Sequence, residues 1–579
     1  MGSISTVMCG IIAYSGPNNA ANIITKGLGK LEYRGYDSVG VAVHERTGKR
    51  AGIEIVKGLK GVHQLKHDLK GNVGIGHTRW ATNGKVSIDN AHPHISSDGA
   101  IVLVHNGIVE NSEELKTVLI ERGYKFYTET DTEVLANLIA WYFTTFDFKQ
   151  SVHLALSQIK GNYSVAVLNA DSKELIGACK GLPLILVAAK NNGVCLASDI
   201  SAFHDVQSAI FLKDSDLVHV KADTSWVIWN KGKQMDRVFE PVKITSTDLG
   251  DYKHFMEKEI FEQPYVLQQT LLAPIPKEII EAKHITLVGC GSAYNAALAC
   301  KYIIEGADYG VTVRAEYASE FRWVEPVPGN AVFIAFTQSG ETIDTINAVN
   351  KAKEKGYKVF AVCNNVHSTI SRLCPVIYQN VGIEVSVAST KAFTSMVLIG
   401  ILISRAIESY SDIRDVDLVV QRVLNIWYRI KDVAEKYKNS KAMMFLGAGE
   451  FYPIALEGAL KVKEVSYIHA QAHPRGELKH GHIALIDKEV PTVIVTGECL
   501  QDKTQHTINE INARGGNVVV IAPEACAFKG VEFIPVPNCG ILTPIACTVA
   551  LQLLSYYLAC YKGVNVDRPR NLAKSVTVE

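Results

Sequence analysis

Two stretches of this chain align without a gap: LVGCGSAYNAA, starting at Leu287, and FLGAGEFYPIA, starting at Phe445. Each reads as an apolar strand, a glycine turn and the start of a helix, so the pair marks an internal duplication of one α/β unit. An apolar strand that runs straight into a crossover helix belongs in a parallel sheet covered on both faces. The rhythm continues around both copies. HITLVGCGSAYNAALACKYIIEG, AVFIAFTQSGETIDTINAVNKAKEKG and KVFAVCNN follow one another in the first copy. In the second, AMMFLGAGEFYPIALEGALKVKEVSYI is followed by VPTVIVTGE, a helix near residues 505–513, NVVVIAP and a last helix near 542–560. A helical bridge over about residues 412–437 joins the copies.

The first 240 residues follow a different pattern. Short β-type runs such as CGIIAYS, VGVAVHE, AIVLVHNGIV and NYSVAVLNA are broken by Gly, Asn and Asp. Helical periodicity appears in ANIITKGLGKLEY and in TDTEVLANLIAWYF, where Thr130 can N-cap with Glu133 at the capping-box position. Many strands with few helices predict an α+β domain of stacked sheets between helices. The chain of 579 residues is too long for a single core. The expected division is residues 9–242, a polar connection over 243–265, α/β domains over 266–430 and 431–566, and a tail over 567–579.

Lys+Arg and Asp+Glu both number 59, which gives no basic footprint for nucleic acid or an anionic membrane. The 12 cysteines form no C-x-x-C pair or His/Cys cluster, so neither a zinc site nor a disulfide framework is expected, and the reading is a reduced, cytoplasmic protein. No run of about 18 apolar residues suggests a membrane span, and MGSISTVM lacks the regions of a secretion signal.

Three places carry chemistry. In IALEGALKVKEVSYIHAQAHPRGELKH, Glu457, Lys461, Glu464 and Ile468 fall on one face if the whole stretch is helical. A carboxylate and an ammonium three residues apart are equally a surface ion pair. His480 at the end of a glycine-containing turn, and Lys574 in a tail too polar to need burial, add an imidazole and a second amine. Acid, base, amine and imidazole together suit sugar isomerisation. Second, Thr337, Gln338, Ser339, Gly340, Glu341 and Thr342 lie between a strand and a helix, where hydroxyls and orphan N–H groups make an anion site. Plain N-capping by Ser339 or Thr342 is the alternative. Ser292 and Ser389 are hydroxyls at neighbouring strand ends, where open α/β sheets bind ligands. Third, Cys9 begins the first strand. If the residues before it were removed, its own α-amino group, with a pKa of roughly 8, would serve the thiol as general base. Asn106 and Gly107 are candidate oxyanion donors, and Arg79 and Asp131 suit the two charges of an α-amino acid.

With these residues on the page, MCGI, YRGYDS, HTRWAT, VHNGIVEN and TETDTE resemble the N-terminal-nucleophile glutaminase domain of glutamine amidotransferases. GCGSAYNA, QSGETIDT, VASTKAFT, ALEGALKVKEVSYIHA, GELKHG and PRNLAKSVTVE resemble the paired sugar isomerase domains of the isomerising glutamine:fructose-6-phosphate aminotransferase family. The resemblance runs from Met8 to Glu579. It implies that Cys9 attacks the glutamine amide, that Asn106 and Gly107 hold the oxyanion, that Arg79, Thr82 and Asp131 hold the amino acid, and that Trp80 gates the released ammonia. It implies further that Ser292, Thr337, Gln338, Ser339, Thr342, Val387 and Ser389 bind the sugar phosphate. Lys574 would form a Schiff base with fructose 6-phosphate, Glu464 would move a proton between C1 and C2 with help from Lys461, and His480 would assist ring opening in a partner subunit's site. The implied partners are L-glutamine, D-fructose 6-phosphate and a second copy of the chain, with no metal or organic cofactor.

The sequence departs from the family pattern at Asn83, where histidine is usual, and at Ala293 and Thr337, where serine is. Met8 is the expected start, removed to expose Cys9; a cleaved propeptide is the other route to the same amine. A same-build enzyme acting on another phosphosugar, and a non-catalytic sugar-phosphate sensor, are the competing functional readings.

Overall fold

The computed structural model describes residues 9–575 except 33–34, 46–51, 66–67, 82–83, 190–192, 204–205, 242–247, 308–309, 322–328, 330, 367, 409–412, 414 and 573. The chain forms two compact units, one reaching to Thr247 and the other spanning Asp248–Lys574.

Among the described residues the first unit holds antiparallel sheets of eight and seven strands. Strict alternation along Gly10–Ser15 explains the layering. Ile11 and Ala13 enter a cluster with Val102, Val104, Ala166 and Leu168 of the facing sheet, whereas Ile12 and Tyr14 point the other way, onto Ile24 and Leu28 of the helix Ala20–Leu31. The second sheet uses Ile101 and Leu103 against Val134, Leu135 and Leu138 of the helix Asp131–Phe143. Helix, sheet, sheet, helix is therefore the order of layers. Gly10–Ser15 lies between Gly193–Ala197 and Gly71–Arg79, and the register sets Gly10 opposite Thr78, so Cys9 emerges beside Arg79 and Trp80.

The expected capping box at Thr130 is not made. Thr130 stands at the N-cap with no side-chain cap bond, its hydroxyl bonded to His94 at 3.1 Å, while Glu133 takes the N–H groups of Tyr127 and Thr128. The extended segment before the helix brings those earlier donors within reach, and a buried carboxylate needs them.

Among the described residues the second unit holds two five-stranded sheets, both parallel throughout. In the first, strand His284–Gly289 lies between Thr312–Tyr317 and Ala331–Phe336, followed outward by Lys358–Cys363 and Val376–Tyr378. In the second, Ala442–Gly447 lies between His469–Pro474 and Thr492–Val495, followed by Val518–Pro523 and Glu532–Val536. Numbered within each sheet, both orders are 2-1-3-4-5, so the duplication read from the glycine turns extends to the topology. In such a sheet the strand order reverses between strands 1 and 3, and ligands bind outside the carboxyl ends there.

Helices around both sheets share one apolar core. Phe451–Ser466 contributes Ile454, Val462 and Val465, each worth about 1.5–3 kcal/mol when fully buried. It packs on Thr543–Lys562, a 20-residue apolar helix that is almost wholly buried. Gly458 makes that approach possible: a Cβ there would stand 2.8 Å from Leu551. Within the stretch expected as a connection, Phe255–Phe261 is a helix with Met256 and Ile260 fully buried in this core. The sequence of this stretch reads as a connection that enters a helix, and it does so here.

Candidate active site

In the first unit the end of one sheet's central strand meets the end of a strand in the facing sheet. Cys9 is 1% exposed; the Trp80 N–H donates to its sulfur at 3.3 Å, and the Trp80 ring packs edge-on against Tyr36. Asn106, at the end of Ile101–Gly107, donates its amide Nδ2 to the Cys9 carbonyl at 3.0 Å, which seats a side-chain donor beside Cys9. Gly107 has φ 135°, and a Cβ would stand 2.3 Å from the Asn162 carbonyl oxygen. Only glycine fits, and it leaves the backbone N–H unobstructed.

His77 fixes the orientation of Asn106. Its Nε2 is 3.0 Å from Asn106 Oδ1, which can only accept, so Nε2 carries the proton and the amide turns its Nδ2 toward Cys9. Burial pushes His77 down to about 3 and also lowers His92, His94 and His105, so this group of imidazoles is neutral. Asp131, the first residue of its helix, accepts from Val109 N at 2.6 Å and is thereby tied to the same strand end. Arg79 is 4% exposed and donates to the carbonyls of Gly84 and Lys85; burial lowers its pKa against the opposing pull of Cys9 and Asp131. Thr82, Asn83 and the segment before Cys9 lie outside the described residues.

In the second unit the helix Phe451–Ser466 presents Glu457, Lys461 and Glu464 on one face. Ile468 does not extend this face, because Tyr467 ends the helix in the left-handed region at φ 58°. Lys461 is 1% exposed, which removes the surface-pair reading. Its Nζ lies 3.4 Å from Glu457 and 2.5 Å from Glu464, and donates to Ser292 Oγ at 3.2 Å. Burial alone would lower its pKa, but the two carboxylates overrule this and raise it. Burial pushes Glu457 up, opposed by Lys461 and by Asn295, which donates to it at 2.9 Å. Glu464, with a side chain 20% exposed against 3% for Glu457, is the carboxylate open to a substrate.

Ser292 starts the helix after His284–Gly289, and Thr337 follows Ala331–Phe336 directly, so both stand where the strand order reverses. The hydroxyls of Thr337 and Ser339 accept from Gly340 N and Glu341 N, each at 3.1 Å, so each can aim its own proton outward. Thr342 is the N-cap of Ile343–Glu354 and makes no side-chain cap bond, so its hydroxyl is not used for simple capping. Ala293 lies in the first turn of the helix Ser292–Glu305.

Lys574 is not a solvated tail residue: its side chain is 7% exposed, bonded to Glu384 at 2.5 Å and to the Ser386 carbonyl at 2.7 Å. Val387 and Ser389 belong to the same loop, before the helix Lys391–Ile407. His480 caps the 3-10 turn Arg475–Lys479 and is exposed; among the described residues no hydrogen bond joins its ring to Lys461, Glu464 or Lys574. Sequence reasoning missed His77, Asn295, Glu259 and Glu384. A lone acid in the apolar run GIEVSVAST was the available signal for Glu384.

Residues 77–205 match the family model of the glutamine amidotransferase domain, and residues 278–403 and 436–526 both match that of the SIS domain. The glutamine–fructose-6-phosphate aminotransferase (isomerizing) of Legionella pneumophila (strain Paris) is 39% identical over 607 residues, covering 99% of this chain and 100% of the relative. The enzyme of the same name from Caldanaerobacter subterraneus subsp. tengcongensis is 39% identical over 612 residues, with the same coverage. Among solved structures, the C-terminal domain of glucosamine-fructose-6-phosphate aminotransferase from Francisella tularensis is similar at 35% identity and a TM-score of 0.51, covering 56% of this chain and 100% of that one. A glutaminase-type cysteine site and a duplicated sugar isomerase unit, matched in one order over the full length of these relatives, show that the chain belongs to the isomerising glutamine–fructose-6-phosphate aminotransferase family.

Proposed function

We propose that the chain transfers the amide nitrogen of L-glutamine to D-fructose 6-phosphate with ketose-to-aldose isomerisation, giving D-glucosamine 6-phosphate and L-glutamate, the entry to UDP-N-acetylglucosamine synthesis. The observation that carries this reading is Lys461, buried between Glu457 and Glu464 and bonded to Ser292 at the first sheet's reversal point. An accessible carboxylate next to a fixed ammonium suits an enolising proton transfer.

Arg79 and Asp131, with Thr82, receive the charged groups of glutamine. The α-amine of a freed Cys9 takes the thiol proton, the sulfur attacks the side-chain amide, and Asn106 and Gly107 hold the oxyanion. Ammonia leaves past Trp80, and water hydrolyses the thioester to glutamate. The sugar phosphate is received by Ser292, Thr337, Gln338, Ser339 and Thr342, with Val387 and Ser389 along its carbon chain. Lys574 forms a Schiff base at C2, which ammonia displaces. Glu464, with Lys461 beside it, then carries the C1 proton to C2. His480 acts on the closed sugar ring in a second subunit's site, so the working form is a homodimer or larger, in the cytoplasm.

Product analysis tests the reading. Glutamine and fructose 6-phosphate should yield glucosamine 6-phosphate and glutamate in equal amounts, and Glu464→Gln should abolish the amino sugar. Amino transfer to a different phosphosugar alone would favour a same-build enzyme of other specificity.

A further inference from the structure

The mechanism above gives Lys574 a nucleophilic role but names no group to take its proton. An ammonium cannot attack a carbonyl. The structure surrounds Lys574 with two buried carboxylates on separate elements. Glu384, 2% exposed, accepts from Lys574 Nζ at 2.5 Å through Oε2, while its Oε1 accepts from Thr390 N at 2.9 Å and Ala392 N at 3.1 Å. Those N–H groups belong to the N-cap and the first turn of Lys391–Ile407, so the carboxylate is aimed at the lysine by a helix N-terminus. Burial opposes its charge, but Lys574 and these donors hold it below the usual carboxylate range.

Glu259, on the helix Phe255–Phe261, sits beneath the same loop. Its Oε1 accepts from Val385 N at 2.5 Å and Ser386 N at 2.9 Å, and its Oε2 touches Ser386 Oγ. That hydroxyl also lies 3.1 Å from the Ala388 carbonyl. Ser386 donates its hydroxyl proton to Glu259, which together with the two N–H groups ties the carboxylate to the loop. Burial and the neighbouring Glu384 push Glu259 up in the same direction. The remaining charges facing the cluster are accounted for: Lys391 pairs with Glu262 at 2.9 Å, and Asp567 caps the helix through Phe255 N and Met256 N.

We propose that Glu384 is the catalytic base and acid for Schiff-base formation at Lys574, with Glu259 holding the loop beneath it. The inference rests on the reading of Lys574 as the Schiff-base lysine. Glu384 takes one proton from the ammonium, the Nζ lone pair forms a bond to C2 of the open-chain sugar, and the carbonyl electrons move to oxygen. That oxygen takes a second proton from nitrogen to give the carbinolamine. Glu384 then returns its proton to the hydroxyl, the C–O bond breaks, and water leaves a protonated imine. One positive charge enters and one remains, and Glu384 ends as a carboxylate.

The test is the single-turnover rate of borohydride trapping of fructose 6-phosphate on the full-length enzyme between pH 6 and 9, with the labelled peptide mapped by mass spectrometry. The unsubstituted enzyme must be labelled at Lys574; a label on another lysine overturns the Lys574 reading itself. With Lys574 labelled, Glu384→Gln should trap about 100-fold more slowly at pH 7, and the rate should climb with pH as solvent deprotonates the lysine. Glu384→Asp should keep the unsubstituted profile at a reduced rate. An unchanged rate and profile in Glu384→Gln overturns the proposal. If Glu384→Gln no longer binds fructose 6-phosphate, Glu384→Asp decides: a rate climbing like that of an unassisted lysine also overturns it.

Discussion

Lys461 balances the charge of the buried cluster with Glu457 and Glu464. Removing one partner of a buried ion cluster costs about 3–5 kcal/mol because the remaining charge is stranded. Lys461→Met should lower the stability of the second unit by about that much, and adding Glu457→Gln should restore part of it. Hydrogen exchange of peptides from residues 451–466 gives the readout, and a double variant no more stable than the single would contradict the pairing. Gly107 carries a different constraint. With φ 135° and a Cβ 2.3 Å from a backbone oxygen, Gly107→Ala must displace the strand end that carries Asn106. Glutaminase turnover should fall at least 100-fold, measured as glutamate release; turnover within a few-fold of the unsubstituted enzyme would remove this turn from the oxyanion site. At this scale the sequence was informative where chemistry dictates residue type. It was silent where side chains from distant segments converge: Glu259, Glu384 and Lys574 meet only after separate elements pack, and His77 acquires its role only once the sheets bring it against Asn106.

Among the elements, the strands of the first unit bring together His77, His92, His94 and His105, all buried and neutral. Their folded pKa values lie below the unfolded value of about 6.5, so the unfolded state binds more protons on acidification. The stability these groups contribute is fully present above that value and is lost as pH falls toward their folded values. The loss is up to about 1.4 kcal/mol per pH unit for each proton taken up. Acid unfolding of the first unit, followed by hydrogen exchange of its strands, should therefore steepen below about pH 6.5; a flat profile from pH 7 to 5 would refute the neutral cluster. The turn after Ala331–Phe336 makes a second element-scale prediction. Ser339→Ala should raise KM for fructose 6-phosphate roughly tenfold, the effect of losing one hydrogen bond to a charged group, and an unchanged KM would exclude Ser339 from the phosphate site. Elements with strong periodicity were legible, including the helix bearing Glu457, Lys461 and Glu464. Element ends were not: Tyr467 turns left-handed before Ile468, and Glu133 takes donors earlier than Thr130. Both outcomes depend on tertiary neighbours that a local pattern does not contain.

For the whole molecule, two glycine turns were enough to reveal the duplication because each marks the reversal point of a sheet with the same strand order. The copies differ in what they carry: the first has the hydroxyl turn Thr337–Thr342, and the second the helix with the buried Lys461. The central claim is that nitrogen released at Cys9 ends on the sugar. The direct measurement is incubation of the full chain with amide-15N glutamine and fructose 6-phosphate in the presence of unlabelled ammonium, followed by mass spectrometry of the sugar product. The account predicts 15N-labelled glucosamine 6-phosphate with little dilution by the unlabelled pool. Label found only in free ammonium, with the sugar unlabelled or unchanged, would contradict it.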